Sequence, residues 1–335
     1  MNVAVVGATG AVGEEMLAVL EQRKFPATHV KALASARSAG KKLPYNGPGS
    51  DGSGFVTVEE LTGDSFDDVD IALFSAGASI SEEYGPLAVK AGAVVVDNSS
   101  AFRMHDDVPL VVPEVNPQDV KAHNGIIANP NCSTIPMAMA LHAMSKVAPI
   151  KRVVVSTYQA ASGAGAAAMD ELYAQTGDFL DGRELHPDKF AHRIAFNCIP
   201  HIDVFLEDGS TKEEWKMVAE TQKILGQPDL PVNATCVRVP VLRCHSESVN
   251  VEFSEPIELD AIREALADLD GITIMDDPAT KTYPMPAFCE GTDEVYIGRL
   301  REDDSVPYGV SFWNVSDQLR KGAALNTIQI AELLL

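Results

Sequence analysis

Five-residue, almost wholly apolar runs recur through the first third of the chain at Asn2–Val6, Val30–Ala34, Ile71–Ser75 and Ala93–Asp97. Runs that short and that apolar read as strands buried on both faces. Glu14–Arg23 and Tyr84–Ala91, lying between them, carry helical spacing. Strands alternating with helices predict a doubly wound parallel sheet with helices on both sides and right-handed crossovers. From about Asn129 the pattern changes. Lys151–Tyr158, Ala234–Val241 and Ser248–Phe253 are longer strands, several with alternating polarity, and Leu259–Leu269 is an amphipathic helix. A mixed or antiparallel sheet in an α+β second domain is expected there. Gly177–Glu214 is loop-rich, and Asp317–Leu335 reads as a helix returning to the first domain. The expected division is 1–128 for the first domain, with 317–335 added to it, and 129–316 for the second.

Composition narrows the function classes. The chain has 335 residues, 46% hydrophobic and 22% charged, which suits about two domains. No apolar run reaches the roughly 20 residues that span a bilayer, so no membrane partner is expected. Met1-Asn2-Val3-Ala4-Val5-Val6 lacks a basic leader and reads as a first strand. Five cysteines with no metal-ligand or disulfide spacing point to reduced thiols in a cytoplasm, and no metal is expected. A net charge of −22 argues against a nucleic-acid partner. An anionic substrate would therefore need local cations.

The run Gly7-Ala8-Thr9-Gly10-Ala11-Val12-Gly13 follows the first strand directly and opens a helix. Its glycines permit a tight turn and bring backbone N–H groups to a pyrophosphate at the helix start. The spacing is GxxGxxG where GxGxxG is commoner, and such a turn also occurs in doubly wound folds that bind nothing. After the second strand comes Ala34-Ser35-Ala36-Arg37-Ser38, with no acid to bind a ribose 2′-hydroxyl. A guanidinium and hydroxyls there suit the 2′-phosphate of NADP, although Arg37 also fits a solvated loop.

Asn129-Pro130-Asn131-Cys132-Ser133-Thr134-Ile135-Pro136 precedes a helical stretch, Met137–Val147. Proline is tolerated only in a helix's first turn, which places the start near Asn131–Thr134. A thiol there meets unpaired N–H groups and the positive end of the helix dipole, the setting of a nucleophile. A free cysteine is more often a buried structural residue, and the helix start shifts the balance. A nucleophile needs a base, and of eight histidines His245, in Arg238-Val239-Pro240-Val241-Leu242-Arg243-Cys244-His245, has the most suggestive setting. The separation of seven would put Arg238 and His245 on opposite faces of a continuous strand, and Pro240 offers a break. Ser210-Thr211-Lys212-Glu213 has capping-box form, with Thr211 and Glu214 as an overlapping box.

With these residues in view, the chain resembles the aspartate-semialdehyde dehydrogenase family. The resemblance is carried by Gly7–Gly13, Asn98-Ser99-Ser100-Ala101-Phe102-Arg103, Asn129–Thr134, Gln159-Ala160-Ala161-Ser162-Gly163-Ala164-Gly165, Glu213-Glu214-Trp215-Lys216, Arg238–Glu247 and Asp317-Gln318-Leu319. It implies a Rossmann-type NADP-binding domain and an α+β catalytic and dimerisation domain in a homodimer. It also implies reversible reductive dephosphorylation of 4-aspartyl phosphate to aspartate semialdehyde, feeding lysine, methionine and threonine synthesis. Cys132 would carry the acyl-thioester with Asn131 beside it, His245 would be the general base and Gln159 would position the acyl group. Arg238 would bind the substrate carboxylate, Glu213 its ammonium (Glu214 staying open), and Arg103 and Lys216 inorganic phosphate. Gly7, Thr9, Gly10, Ala11, Val12, Gly13, Arg37, Ser38, Ser162, Gly163 and Gln318 would contact NADP. The competing readings are N-acetyl-glutamyl-phosphate reductase, whose blocked amine would not need Glu213, and a catalytically silent NADP-binding regulatory protein.

Overall fold

The computed structural model describes all 335 residues, which fall into two units: Met1–Asn131 with Ala323–Leu335, and Cys132–Gly322. In the first unit the strands are β1 (Asn2–Val6), β2 (His29–Ala34), β3 (Lys42–Pro44), β4 (Phe55–Glu60), β5 (Ile71–Phe74), β6 (Val94–Asp97) and β7 (Ile126–Ala128), with helices α1 (Ala11–Gln22) and α2 (Ala78–Ala91). They form one sheet in the order β3-β4-β2-β1-β5-β6-β7. All neighbours pair in parallel except the edge strand β3. Chain direction across the sheet reverses on either side of β1, the switch point at which doubly wound sheets bind ligands.

Two cores explain the continuous apolar strands. Val3 and Val5 of β1 belong to one buried cluster, with Met16, Leu17 and Leu20 of α1. Ala4 and Val6 belong to another, with Phe66, Phe74 and Ala88. A strand covered on both sides has no polar face to spare. The C-terminal helix Leu325–Glu332 joins the first cluster through Leu325, Ile328 and Ala331. The single helix expected over 317–335 is not what forms. Asp317–Leu319 is a turn, Arg320–Ala324 is a π-helical turn, and only then does the α-helix begin.

The second unit contains α3 (Thr134–Ser145), β8 (Ile150–Gln159), α4 (Ala166–Leu180), α5 (Lys212–Leu225), β9 (Val232–Arg238), β10 (His245–Phe253), α6 (Leu259–Ala267), β11 (Ile272–Ile274), α7 (Pro286–Cys289), β12 (Val295–Asp303) and β13 (Gly309–Ser316). Its sheet runs β11-β12-β13-β10-β8-β9 and is mixed. β10 pairs antiparallel with β8 and β13, whereas β8 and β9 are parallel. On β8 the odd-numbered residues from Val153 to Gln159 are buried and Tyr158 is exposed, the period of two expected when one face is covered. Helices α3, α5 and α6 pack together against this sheet. The strand expected at Ala234–Val241 ends earlier, at Arg238. Within the segment Gly177–Glu214, residues 181–211 carry no helix or long strand. No helix is long and apolar enough to cross a membrane.

Candidate active site

The glycine loop after β1 is tight because its backbone is folded onto β2. Gly7 has φ +83°, and the N–H groups of Gly7 and Ala8 both donate to Leu33 O, at 2.9 and 3.1 Å. A Cβ on Gly13 would lie 2.2 Å from Gly7 O, so only glycine lets α1 approach the strand this closely. Gly10 caps α1 without any side-chain hydrogen bond, and a helix start leaves first-turn amides for an anion. Ala11 and Val12 lie in that turn, with half-buried Thr9 just before it. Beyond β2, Ala36–Ser38 forms a 3-10 turn in which Arg37 is exposed and Ser38 buried. Neither β2 nor this turn carries a carboxylate at the strand end, and the neighbouring strand β4 brings Glu60 level with Ala34.

In the same unit a polar network shapes the Asn98–Arg103 segment. Asp97 is fully buried and accepts from Ser81 Oγ (2.7 Å), Ser99 N (3.0 Å) and Ser99 Oγ (2.7 Å). Burial raises its carboxyl above the usual range against those bonds. Arg103, also buried, donates from Nη2 to Asn98 O at 2.9 Å. Asn129 Nδ2 donates to Asn98 Oδ1, and Asn326 Nδ2 to Asn129 Oδ1, each at 2.7 Å. Asn131 is buried at the end of this unit. Asp97 and Asn326 were not legible as network members, because the pairings join residues up to 197 positions apart.

The second unit gathers most of the chemistry. Helix α3 starts at Thr134 with Ser133 as N-cap, which puts Cys132 one residue before the cap, half-buried. Pro136 falls in the first turn, as the sequence required. Gln159, at the end of β8, donates from Nε2 to Ser133 Oγ (2.6 Å) and to Glu213 Oε1 (3.2 Å). Glu213 Oε2 pairs with Lys216 Nζ at 3.1 Å, and Lys216 also meets Asp203 Oδ2 at 2.7 Å. Burial works against the Lys216 charge, but Glu213 and Asp203 together hold its pKa above the ordinary value. Asp203 gave no signal in sequence, being 13 residues before Lys216 in an irregular segment.

Arg238 and His245 meet at one residue. Arg238 Nη1 donates to Ala160 O at 2.6 Å, and Ala160 N donates to His245 Nδ1 at 3.1 Å. The strand ends at Arg238 and β10 begins at His245, so residues 239–244 form a connection that removes the odd-spacing problem. Burial pulls the Arg238 guanidinium below its ordinary value, against the opposing pull of Glu213 and Cys132. Burial, then the charge of Arg238, pushes His245 well below the usual histidine range. Gly163 packs against both side chains. A Cβ there would stand 2.8 Å from Arg238 Nη1 and 3.1 Å from His245 Nε2.

The 239–244 connection is held from the C-terminal side. Gln318 Oε1 accepts from Cys244 N at 2.8 Å and Gln318 Nε2 donates to Ser162 Oγ. Asp317 Oδ2 lies 2.7 Å from Arg243 Nε and accepts from Gly291 N at 2.7 Å. Gly322 in the π-turn lies against the thiol residue; a Cβ on it would be 3.0 Å from Cys132 Cβ. π-Turns of this kind recur at functional sites.

Helix α5 separates two adjacent acids. Thr211 is its N-cap, with Thr211 N donating to Glu214 Oε2 (2.7 Å) and Glu214 N to Thr211 Oγ1 (3.3 Å). Glu214 Oε1 accepts from Cys236 N at 3.0 Å. Of the two overlapping boxes that the sequence offers, Thr211–Glu214 is the one that forms, and Glu213 is left to the polar cluster.

Comparison with known proteins adds family relationships. The semialdehyde dehydrogenase NAD-binding domain family matches residues 2–123, and the semialdehyde dehydrogenase dimerisation domain family matches 141–321. An aspartate-semialdehyde dehydrogenase of Aquifex aeolicus (strain VF5) is 53% identical over 99% of this chain and 97% of its own. The crystal structure of aspartate semialdehyde dehydrogenase II complexed with ASA from Vibrio cholerae superposes with a TM-score of 0.95 at 47% identity, covering 99% of this chain and 97% of that one. An aspartate semialdehyde dehydrogenase with NADP from Candida albicans gives a TM-score of 0.73 at 25% identity, over 99% and 98% of the two chains.

Proposed function

The chain belongs to the aspartate-semialdehyde dehydrogenase family, and on that premise we propose that it interconverts 4-aspartyl phosphate and L-aspartate 4-semialdehyde through a thioester on Cys132, with NADP as cofactor. The observation that carries this reading is the buried cluster of Gln159, Glu213, Arg238 and His245 around the Cys132–Ser133 helix start. It holds a nucleophile, a proton-handling imidazole, and one group of each charge for an amino-acid substrate.

Each side chain has a task suited to its setting. Cys132 bonds to the substrate carbonyl carbon, beside first-turn N–H groups of α3 that suit an oxyanion. His245 exchanges protons with the reacting centre as the acid–base residue. Arg238 grips the substrate carboxylate with its planar fork, and its Nη1 bond to Ala160 O fixes the fork's angle. Glu213 takes the ammonium, because both oxygens of Glu214 already accept backbone N–H groups. Gln159 orients the acyl group, and Arg103 and Lys216 supply the cations for phosphate. The first-turn amides of α1, Arg37 and Ser38 hold NADP, which when bound accepts or supplies the hydride. Ser162, Gly163 and Gln318 complete the cofactor contacts of this reading. The active species is a homodimer formed through the second unit, whose family is described as a dimerisation domain. Its product serves amino-acid biosynthesis in the cytoplasm.

The deciding assay is NADPH formation from aspartate semialdehyde with inorganic phosphate present or omitted. Phosphate-dependent turnover is expected, and its loss in Cys132→Ala with NADP binding retained. Turnover surviving in Cys132→Ala, or a substrate adduct found by mass spectrometry on Cys244 or Cys289, would overturn the reading.

A further inference from the structure

Arg238 closes the edge strand β9, so one side of its backbone has no strand to pair with. Ile199 fills that place. Ile199 N donates to Arg238 O at 2.9 Å, and Arg238 N donates to Ile199 O at 2.8 Å. Ile199 ends a strap, residues 186–199, that also carries Phe190. The Phe190 ring centre lies 5.9 Å from the Arg238 guanidinium carbon, within reach of a cation–π contact. The strap therefore meets Arg238 both at its backbone and at its charged end. Apart from the bridge at Ile199 it has no regular structure, so bonds from other residues must set its shape.

Those bonds come from two buried side chains on α4. Glu171 and Gln175 are four residues apart and share one helix face. Gln175 Oε1 accepts from Ile194 N (2.8 Å) and Ala195 N (3.1 Å). Gln175 Nε2 donates to Glu171 Oε1 (2.8 Å) and to His186 O (3.2 Å). A glutamine amide offers two acceptor sites and two donors, and all four are used. Turning the amide over would set its NH₂ against two backbone N–H groups, so one orientation alone satisfies the strap. Glu171 Oε2 accepts from Lys189 N, next to Phe190. Ile194, Ala195 and Ile199 are buried with Leu172 of α4 and with Ala161, and Phe190 packs against them. Helix α4 follows directly on the turn Ala161–Ala164. It is thus continuous with Ala160, whose carbonyl oxygen accepts from Arg238 Nη1. The Ala160 bond and the Phe190 contact of the guanidinium are both referred to one helix.

We propose that Gln175 is a positioning residue for recognition of the substrate carboxylate: by fixing the strap it aims the Arg238 fork, with Phe190 as the transmitting contact and Glu171 as its support. The proposal rests on Arg238 binding that carboxylate, and Gln175 acts on the substrate only through Arg238. A loop anchor without this role would, when removed, reduce the amount of folded enzyme, which lowers kcat and leaves KM alone. A misaimed fork weakens a binding contact, which raises KM for the semialdehyde. Phosphate and NADP do not use Arg238 in this reading, so their KM values stay.

The test is steady-state kinetics of the full chain in the oxidative direction. Gln175→Met keeps the length of the side chain and removes all four bonds. Its KM for aspartate semialdehyde should rise by roughly 10–100-fold, with KM for phosphate and for NADP nearly unchanged. On an Arg238→Lys background the same change should add little, because both act through one fork. Phe190→Leu should raise the semialdehyde KM by roughly 3–30-fold, and Phe190→Tyr, which keeps the aromatic face, should bring it back. An unchanged semialdehyde KM in Gln175→Met, an equal rise in the phosphate KM, or full additivity with Arg238→Lys overturns the proposal. Should Gln175→Met fail to fold, Phe190→Leu decides in its place, and a wild-type semialdehyde KM there overturns it. Wild-type kinetics in Arg238→Lys would instead remove the carboxylate reading itself, a failure separable from that of the strap.

Discussion

Arg37 is exposed and pairs with no acid within the chain, so nothing competes for its guanidinium when an anion arrives. A phosphate contact here would be charge-assisted, and its loss is worth about 1.5–3 kcal/mol, or roughly 10–150-fold in affinity. Arg37→Ala is accordingly expected to weaken NADP by that factor and to leave NAD almost untouched, as titration by fluorescence would show. Equal losses would remove Arg37 from the 2′-phosphate. The neighbouring Ser38 is buried, which places one of the two expected groups inside the turn and the other outside it. That difference was not readable from Ala36-Arg37-Ser38, because a three-residue helical turn has no periodicity to sort its faces.

Helix α5 shows how one element assigns two neighbouring acids to different tasks. Thr211 sets the helix start, and Glu214, three residues on, closes the box. Glu213, one residue earlier, is rotated by about 100° around the helix and points to Gln159 and Lys216. Thr211→Ala should cost about 1 kcal/mol of stability and lower the melting temperature with kcat/KM nearly preserved. Glu213→Gln should do the reverse. The cap is intact, so the melting temperature holds, while kcat/KM for the semialdehyde falls by the equivalent of about 2–4 kcal/mol for a lost buried charge pair. Wild-type kinetics in Glu213→Gln would take Glu213 out of substrate recognition.

At the scale of the whole molecule, stability should carry the signature of one buried acid. Glu247 is fully enclosed, its Oε2 accepts from Asn314 Nδ2 at 2.8 Å, and burial raises its pKa to about 8. The folded protein therefore keeps this proton over a range in which the unfolded chain has lost it. Linkage then makes stability fall as pH rises from the ordinary carboxylate range towards about 8, at up to roughly 1.4 kcal/mol per pH unit, and level off above that. Glu247→Gln removes the titration, so its urea midpoint should change less than that of wild type between about pH 6 and about pH 8.5. Parallel decline in both proteins would show that other groups govern this range.

The sequence by itself determined the strand-and-helix alternation of the first unit, since runs such as Val3–Val6 are apolar at every position only when both faces are covered. It also determined the turn at Gly7–Gly13 and the start of α3, because glycine at φ +83° and proline in a first helical turn are local constraints. The tertiary structure alone decided which polar residues share a place. Ala160 joins Arg238 to His245 across gaps of 78 and 85 residues, and no periodicity extends over such distances. It also broke the expected strand at Arg238 and the expected C-terminal helix at the π-turn Arg320–Ala324. In both places bonds from distant residues take precedence over local propensity: Ile199 pairs with Arg238 at the strand end, and Asp317 and Gln318 bind Arg243, Gly291, Cys244 and Ser162.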